Sequence, residues 1–326
     1  MVVTTHKLKH FLLILLCATA FHAVRAQERA FQYPVPPDNL ETLGERTTYL
    51  VEHFWDRANM KSVFSSVKGF SQAFEDYISF MPFADSAVVF NSIDRLIASV
   101  KKSPANMLTM ARVAREKMYA DSAWYRFDNI YLPFARAAAS ASGIDKAERE
   151  RFAIEASQLE HTQVGMTLPS VELTATDGSK LNPAEMTGTY LLLFFDEPGN
   201  FDNMLARTRL MTDYSLKELI EQGQIKVLIV SDVAADEQWR RQWTDLPVGW
   251  TAATSPDVNK KFDRRVKPTA YYVNSEGVIL SKELPVENLV EAFRTVLQAQ
   301  NRVKEERKRL REEALKQHQN NPQTNP

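Results

Sequence analysis

The chain has 326 residues, 44% of them hydrophobic, with 40 Lys and Arg against 41 Asp and Glu and a formal net charge of −1. That length holds two domains, and the charge balance excludes the basic excess of a nucleic-acid binder. A single cysteine, Cys17, excludes a disulfide framework and a thiolate zinc site.

Lys7 and Lys9 precede the apolar run Phe11 to Ala20, and Val24-Arg25-Ala26 supplies small residues at a signal-peptidase site. Residues 1–26 therefore read as a signal peptide, with the mature chain starting near Gln27 and exported to the periplasm or cell envelope. The apolar run is shorter than the roughly 20 residues that span a bilayer, so no transmembrane segment is expected after cleavage. Leu16 stands before Cys17 where a lipoprotein site has a small residue. Signal removal takes Cys17 with it, and His53, His161 and His318 are too scattered to share a metal. No metal and no cofactor are expected.

Residues 27–37 form an extended leader, because Tyr33-Pro34-Val35-Pro36-Pro37 is rich in a residue that fixes φ and biases its predecessor away from helix. From 38 to 162 the pattern is helical throughout. Thr42 and Glu45 have capping-box spacing, opening a helix that turns Leu43, Leu50, Phe54 and Trp55 to a core. Phe70, Phe74, Tyr77, Ile78 and Met81 mark one helix face, and Val89, Ile93, Leu96, Ile97 and Val100 another. Helices follow over 107–119 and 122–142, the second kinked or divided at Pro133, and a last one runs from Asp145 to about Leu159. No chemical motif stands out here. His53, Phe54 and Trp55 read as packed helix residues rather than a functional pair.

A change of pattern begins at residue 163. Val171 to Leu173 alternates as a strand, Asp177-Gly178 is a hairpin turn, and Lys180-Leu181 returns. Tyr190 to Phe195 is a strand buried on both faces. Asp196 to Gly199 ends it, Asn200 can cap a helix that holds Phe201, Asp202 and Asn203 in its first turn, and that helix runs to about Gln222. Ile225 to Val230 is a second buried strand; Glu237 to Trp243 is helical, and a short helix lies near 256–262. Ala270 to Val273 and Val278 to Leu280 form a hairpin about Asn274 to Gly277, and Pro285 leads into a helix with Leu289, Phe293, Val296 and Leu297 on one face. The fold class is an all-α N-terminal domain followed by an α/β domain, a mixed sheet with helices on both faces.

This order resembles the periplasmic thioredoxin-like proteins of the TlpA/ResA type over residues 165–298. The residues that carry it are Gly165, Pro169 and Asp177-Gly178, the strand Tyr190 to Asp196, and Lys267-Pro268-Thr269 with Tyr272 and Gly277. The helical part before it is similar to a domain of unknown function fused in front of such domains in envelope proteins. The resemblance implies a thioredoxin-like domain over 163–300, a cis bond at Pro268, and a loop that offers backbone groups to an extended peptide. It also implies that Gly199 and Asp202 stand where the two cysteines would be, so thiol exchange is lost.

Three readings fit the loop. Asn200 and Asp202 satisfy and complement the helix end; Glu197, Pro198, Gly199, Asn200, Phe201 and Asp202 with Lys267 and Pro268 bind a protein or peptide partner in the envelope; or Asp196, Glu197 and Asp202 act as a carboxylate cluster. Composition and resemblance together imply a redox-inactive binding or scaffolding protein, the alternative being a divergent oxidoreductase that depends on partner thiols. Residues 301–326 read as a charged helical extension ending in a tail disordered from Gln317.

Overall fold

The computed structural model describes residues 29–282 and 284–320. The expected signal with Cys17, and residues 321–326 of the expected tail, lie outside them. The chain divides into two compact units, residues up to 117 with 141–144, and 118–140 with 145 onward. The change of sequence pattern suggested a boundary near 162, so residues 118–140 and 145–162 are where the two divisions differ.

The first unit is helical. Helix α1 (Leu43–His53) opens with a complete capping box between Thr42 and Glu45. Asn59 caps α2 (Met60–Val63), Ser66 caps α3 (Val67–Phe80) and Asp85 caps α4 (Ser86–Val100); α5 (Pro104–Met118) follows. Each cap accepts a hydrogen bond from an orphan N–H of the first turn, so the sequence sets these starts locally. Phe70, Phe74, Tyr77 and Ile78 are buried as their spacing predicts. Leu43 is an exception at 61% exposed, because the first turn of α1 lies outside the core that Val51 and Phe54 enter. The leader is packed through its aromatics, with the Phe31 ring 5.4 Å from Trp55 and the Tyr33 ring 4.7 Å from Phe54.

The second unit begins with α6 (Asp128–Ser140) and α7 (Lys146–His161). Helix α6 passes through Pro133 undivided; only one turn precedes it, so one backbone bond is lost. A seven-stranded sheet follows in the order β2-β1-β5-β4-β3-β6-β7. Its strands are β1 (Leu173–Ala175), β2 (Lys180–Leu181), β3 (Tyr190–Phe195), β4 (Ile225–Ser231), β5 (Trp250–Thr254), β6 (Ala270–Val273) and β7 (Ile279–Ser281). β4 runs parallel to β3 and β5, while β6 is antiparallel to β3, so the sheet is mixed.

Strand β5 has no counterpart in the sequence reading, for Trp250-Thr-Ala-Ala-Thr is short and its alanines are poor strand formers. The helix expected from Asn200 to Gln222 is two, α8 (Phe201–Thr212) and α9 (Tyr214–Glu221), because Asp213 caps the second. Short helices α10 (Glu237–Gln242) and α11 (Val258–Lys261) precede the proline loop. Helix α12 (Val286–Asn320) is unbroken, so the backbone at 317–320 is helical where disorder was expected.

Alternation along β3 builds two cores. Leu192 and Phe194 join Leu210, Leu219, Leu289 and Phe293 on one face of the sheet, while Leu191, Leu193 and Phe195 join Leu173, Val258 and Phe262 on the other. Each such side chain contributes about 1.5–3 kcal/mol relative to exposure.

One polar cluster is buried within this unit. Asp263 Oδ2 lies 2.6 Å from Arg265 Nη2 and 2.9 Å from Lys282 Nζ, and Asp128 reaches the same two cations at 2.6 and 2.5 Å. Arg265 also lies 3.9 Å above the Tyr119 ring. Two cations and two carboxylates balance, which is what permits their burial. Burial opposes the Asp263 charge, yet hydrogen bonds from Arg265 and the Lys282 ammonium outweigh it and hold the carboxyl below its ordinary range.

Asp263→Ala, which leaves two buried cations with one carboxylate, is expected to cost about 3–5 kcal/mol in urea unfolding at neutral pH. Because the folded pKa is depressed, the stabilisation is present above the ordinary aspartate range and disappears as pH falls through the lower folded value. The gap between the native chain and Asp263→Asn should therefore close in acid, and a gap independent of pH would contradict the assignment.

Candidate functional site

The site is built where β3 gives way to α8. The Asp196 N–H still donates to Val230 O at 2.8 Å, continuing the ladder one residue past the strand. A turn follows, in which the Asn200 N–H donates to Glu197 O at 3.1 Å and Gly199 takes φ +80°. Glycine meets that left-handed angle without the Cβ penalty. Asn200 then caps α8, its Oδ1 accepting from the Asn203 N–H at 3.0 Å.

Asn203 holds the turn against the strand. Its Nδ2 donates to Phe195 O at 2.8 Å and its Oδ1 accepts from the Glu197 N–H at 3.2 Å, all with the residue 2% exposed. Asn203 falls in the expected first turn of the helix but was given no role from sequence, although its spacing of three from Asn200 is the signal of a cap partner. The cap and the third helical residue are thus Asn200 and Asn203. Gly199 lies one residue outside the cap, and Asp202 lines a different groove from Gly199.

The proline loop comes to the same place. The Lys267-Pro268 bond is cis. Lys267 Nζ lies 2.5 Å from Glu197 Oε1, while Asn200 Nδ2 donates to Glu197 Oε2 at 3.1 Å. Glu197 therefore ties the loop after β3, the helix cap and the proline loop together. As the pair is half exposed, it fixes position more than it adds stability.

Two grooves flank this junction. One, of about 330 Å³, is lined by Asp202, Leu205, Arg209, Lys267, Pro268 and Val286 among others. The second, of about 260 Å³, is lined by Asp196, Glu197, Phe201, Met204, Arg207 and Gln242 among others. Phe201, Leu205 and Met204 are 68%, 57% and 47% exposed, an apolar strip at the helix start. Of the expected site residues, Asp202, Lys267 and Pro268 meet in the first groove and residues 197–201 in the second.

The carboxylates do not converge. Asp196 pairs with Arg207 at 2.6 Å, Glu197 with Lys267, and Asp202 faces the other groove. Among the described residues no group of three His, Cys, Asp or Glu is placed to hold a metal ion. Burial pushes the Asp196 carboxyl above its ordinary range, with the Arg207 charge opposing it. Among the described residues no helix is long and apolar enough to cross a membrane.

Residues 14–162 match a domain of unknown function, DUF5106. No curated protein matches the chain. Among solved structures, a thioredoxin-like protein from Bacteroides caccae aligns with a TM-score of 0.63 at 20% identity, covering 81% of this chain and 98% of that one. The thioredoxin domain of a thiol-disulfide oxidoreductase from Bacteroides vulgatus aligns over 42% of this chain and 99% of its own, at 17% identity and a TM-score of 0.34. The C-terminal domain of an uncharacterized protein from Bacteroides fragilis does so over 40% and 96%, at 18% identity and a TM-score of 0.37. The fold of the sheet domain is thioredoxin-like, as its likeness to the first of these shows.

Asn203→Ala removes both side-chain bonds and leaves the Glu197 N–H and Phe195 C=O without them. A loss of about 1–3 kcal/mol in urea unfolding is expected, against a few tenths for exposed Thr208→Ala in the same helix. Equal losses at the two positions would contradict the role given to Asn203.

Proposed function

We propose that the chain is a redox-inactive, thioredoxin-like binding protein of the cell envelope, which holds an extended segment of a partner protein in the groove between α8 and the cis-proline loop. The observation that carries this is the junction at Glu197, which keeps the helix start and the Lys267-Pro268 loop side by side although no cysteine lies between residues 18 and 326. Without a thiolate the scaffold has no nucleophile for disulfide exchange, so shape and hydrogen bonding are what it offers.

The groove is suited to a peptide. Leu205, Val266, Pro268 and Val286 give it apolar walls, while Asp202 and Glu287 face Arg209 and Lys267 around it. Both charge signs are thus available to a backbone or to polar side chains, and Arg209 already bridges to Glu287 at 3.1 Å. Extended backbone laid along residues 266–268 would be recognised by main-chain hydrogen bonds, with alternate side chains entering the groove. Export follows from the signal reading of residues 1–26.

A photo-reactive amino acid placed at Leu205 or Lys267 and activated in cells is expected to trap one protein reproducibly, while the same group at exposed Lys217 on α9 is not. The purified chain should give no turnover in insulin reduction. Catalytic reduction of insulin, or trapping that is equal at all three positions, would overturn the reading.

A further inference from the structure

Two aspartates are buried almost equally in the second unit, Asp263 at 4% and Asp196 at 1% exposure, and they are satisfied differently. Asp263 has two cations: Arg265 reaches both oxygens, and Lys282 reaches Oδ2 at 2.9 Å. Asp196 has one. Arg207 Nη1 reaches Oδ1 at 2.6 Å, its guanidinium stacked 4.8 Å from the Trp243 ring, and Oδ2 is buried without a partner.

The other charged groups around Asp196 do not supply the difference. Arg264 has Asp232 as its partner at 3.0 Å, so its field at Asp196 is opposed by a neighbouring negative charge. Glu197, next along the chain, is taken by Lys267. Asp196 nevertheless lines an open groove of about 260 Å³, below the roughly 300–1,000 Å³ of small-molecule sites and suited to one long side chain. Pro198, Phe201 and Met204 line the same groove and offer an aliphatic stem an apolar wall.

We infer that this second groove receives a lysine or arginine side chain of the bound partner, whose stem lies on Phe201 and Met204 and whose head group donates to Asp196 Oδ2. The inference rests on the partner-binding reading above and adds a requirement to it, a basic residue beside the extended segment. An ammonium or guanidinium suits this oxygen because a charge-assisted donor is worth about twice a neutral one. A cation beside Oδ2 favours the ionised form of Asp196, so its entry lowers the carboxyl's titration midpoint and affinity falls in acid.

The test uses the purified chain with aspartate carboxyl carbons labelled with ¹³C, titrated with n-butylammonium and ethylguanidinium against acetate and n-butanol. Both cations are expected to shift the Asp196 carboxyl signal saturably and lower its titration midpoint, with Asp196→Asn weakening binding by about tenfold or more. Met204→Lys, a change at a half-exposed position, places a tethered ammonium in the groove; it should lower the same midpoint without ligand and block the probes. No saturable shift, an equal response to acetate or butanol, or a Met204→Lys chain that titrates like the native one would overturn the inference. Crosslinking at Leu205 and Lys267 is independent of Asp196, so its outcome decides the partner-binding reading separately.

Discussion

The buried quartet of Asp263, Arg265, Lys282 and Asp128 is the constraint on which the site depends. Arg265 stands two residues before Lys267, and its guanidinium is held from three sides by Asp263, Asp128 and the Tyr119 ring. A loop anchored this way has little freedom left. Thr269 O accepts from the Phe195 N–H at 3.0 Å, so the other end of the same loop is fixed to β3. Lys267-Pro268 is suspended between these points, within reach of Glu197. Two of the anchoring groups, Tyr119 and Asp128, come from a stretch that the sequence pattern assigns to the helical part, yet they belong to the same compact unit as the sheet. The proline loop is therefore supported by residues outside the region of thioredoxin resemblance.

At the helix start, the turn satisfies its polar groups internally. A thiol at the N-terminus of a helix is activated because the orphan N–H groups and the dipole favour its anion. Here Asn200 takes an orphan N–H, Asn203 takes another from the turn, and Glu197 is shared between Asn200 and Lys267. What is left outward-facing is apolar, Phe201, Met204 and Leu205, and an exposed strip of this kind is the sort of surface a partner covers. Asp196, which lines the same groove as Phe201 and Met204, keeps one buried oxygen unmatched. Surface and buried acid together are the features on which the proposed binding role rests.

Much of this was legible in the sequence, and the exceptions have physical causes. β3 was readable to the residue because its apolar run is unbroken and the five side chains from Leu191 to Phe195 serve two cores at once. The caps of α1, α7 and α8 were readable because Thr42, Asp145 and Asn200 act through neighbours a few positions away. β5 was not, since its place between β1 and β4 is decided by long-range pairing rather than by composition. Asp213 was passed over as a helix residue, although it caps α9. The quartet was invisible for a stronger reason: its members are separated by up to 154 positions, and a lone Arg, Lys or Asp in sequence looks solvated. Within the candidate site, Glu197, Asn200, Phe201 and Pro268 were legible as a loop, a cap and a motif. Arg207 and Gln242, which complete the second groove, were not, because only the fold brings them to Asp196.

The central claim is that a partner is bound where α8 meets the proline loop, without electron transfer. Amide hydrogen exchange of the purified chain, alone and with the partner trapped at Leu205, measures it most directly. Slowed exchange confined to the amides of 197–206 and 265–269 is the predicted result. Protection appearing instead in α1 to α5, with those two segments unchanged, would contradict the account.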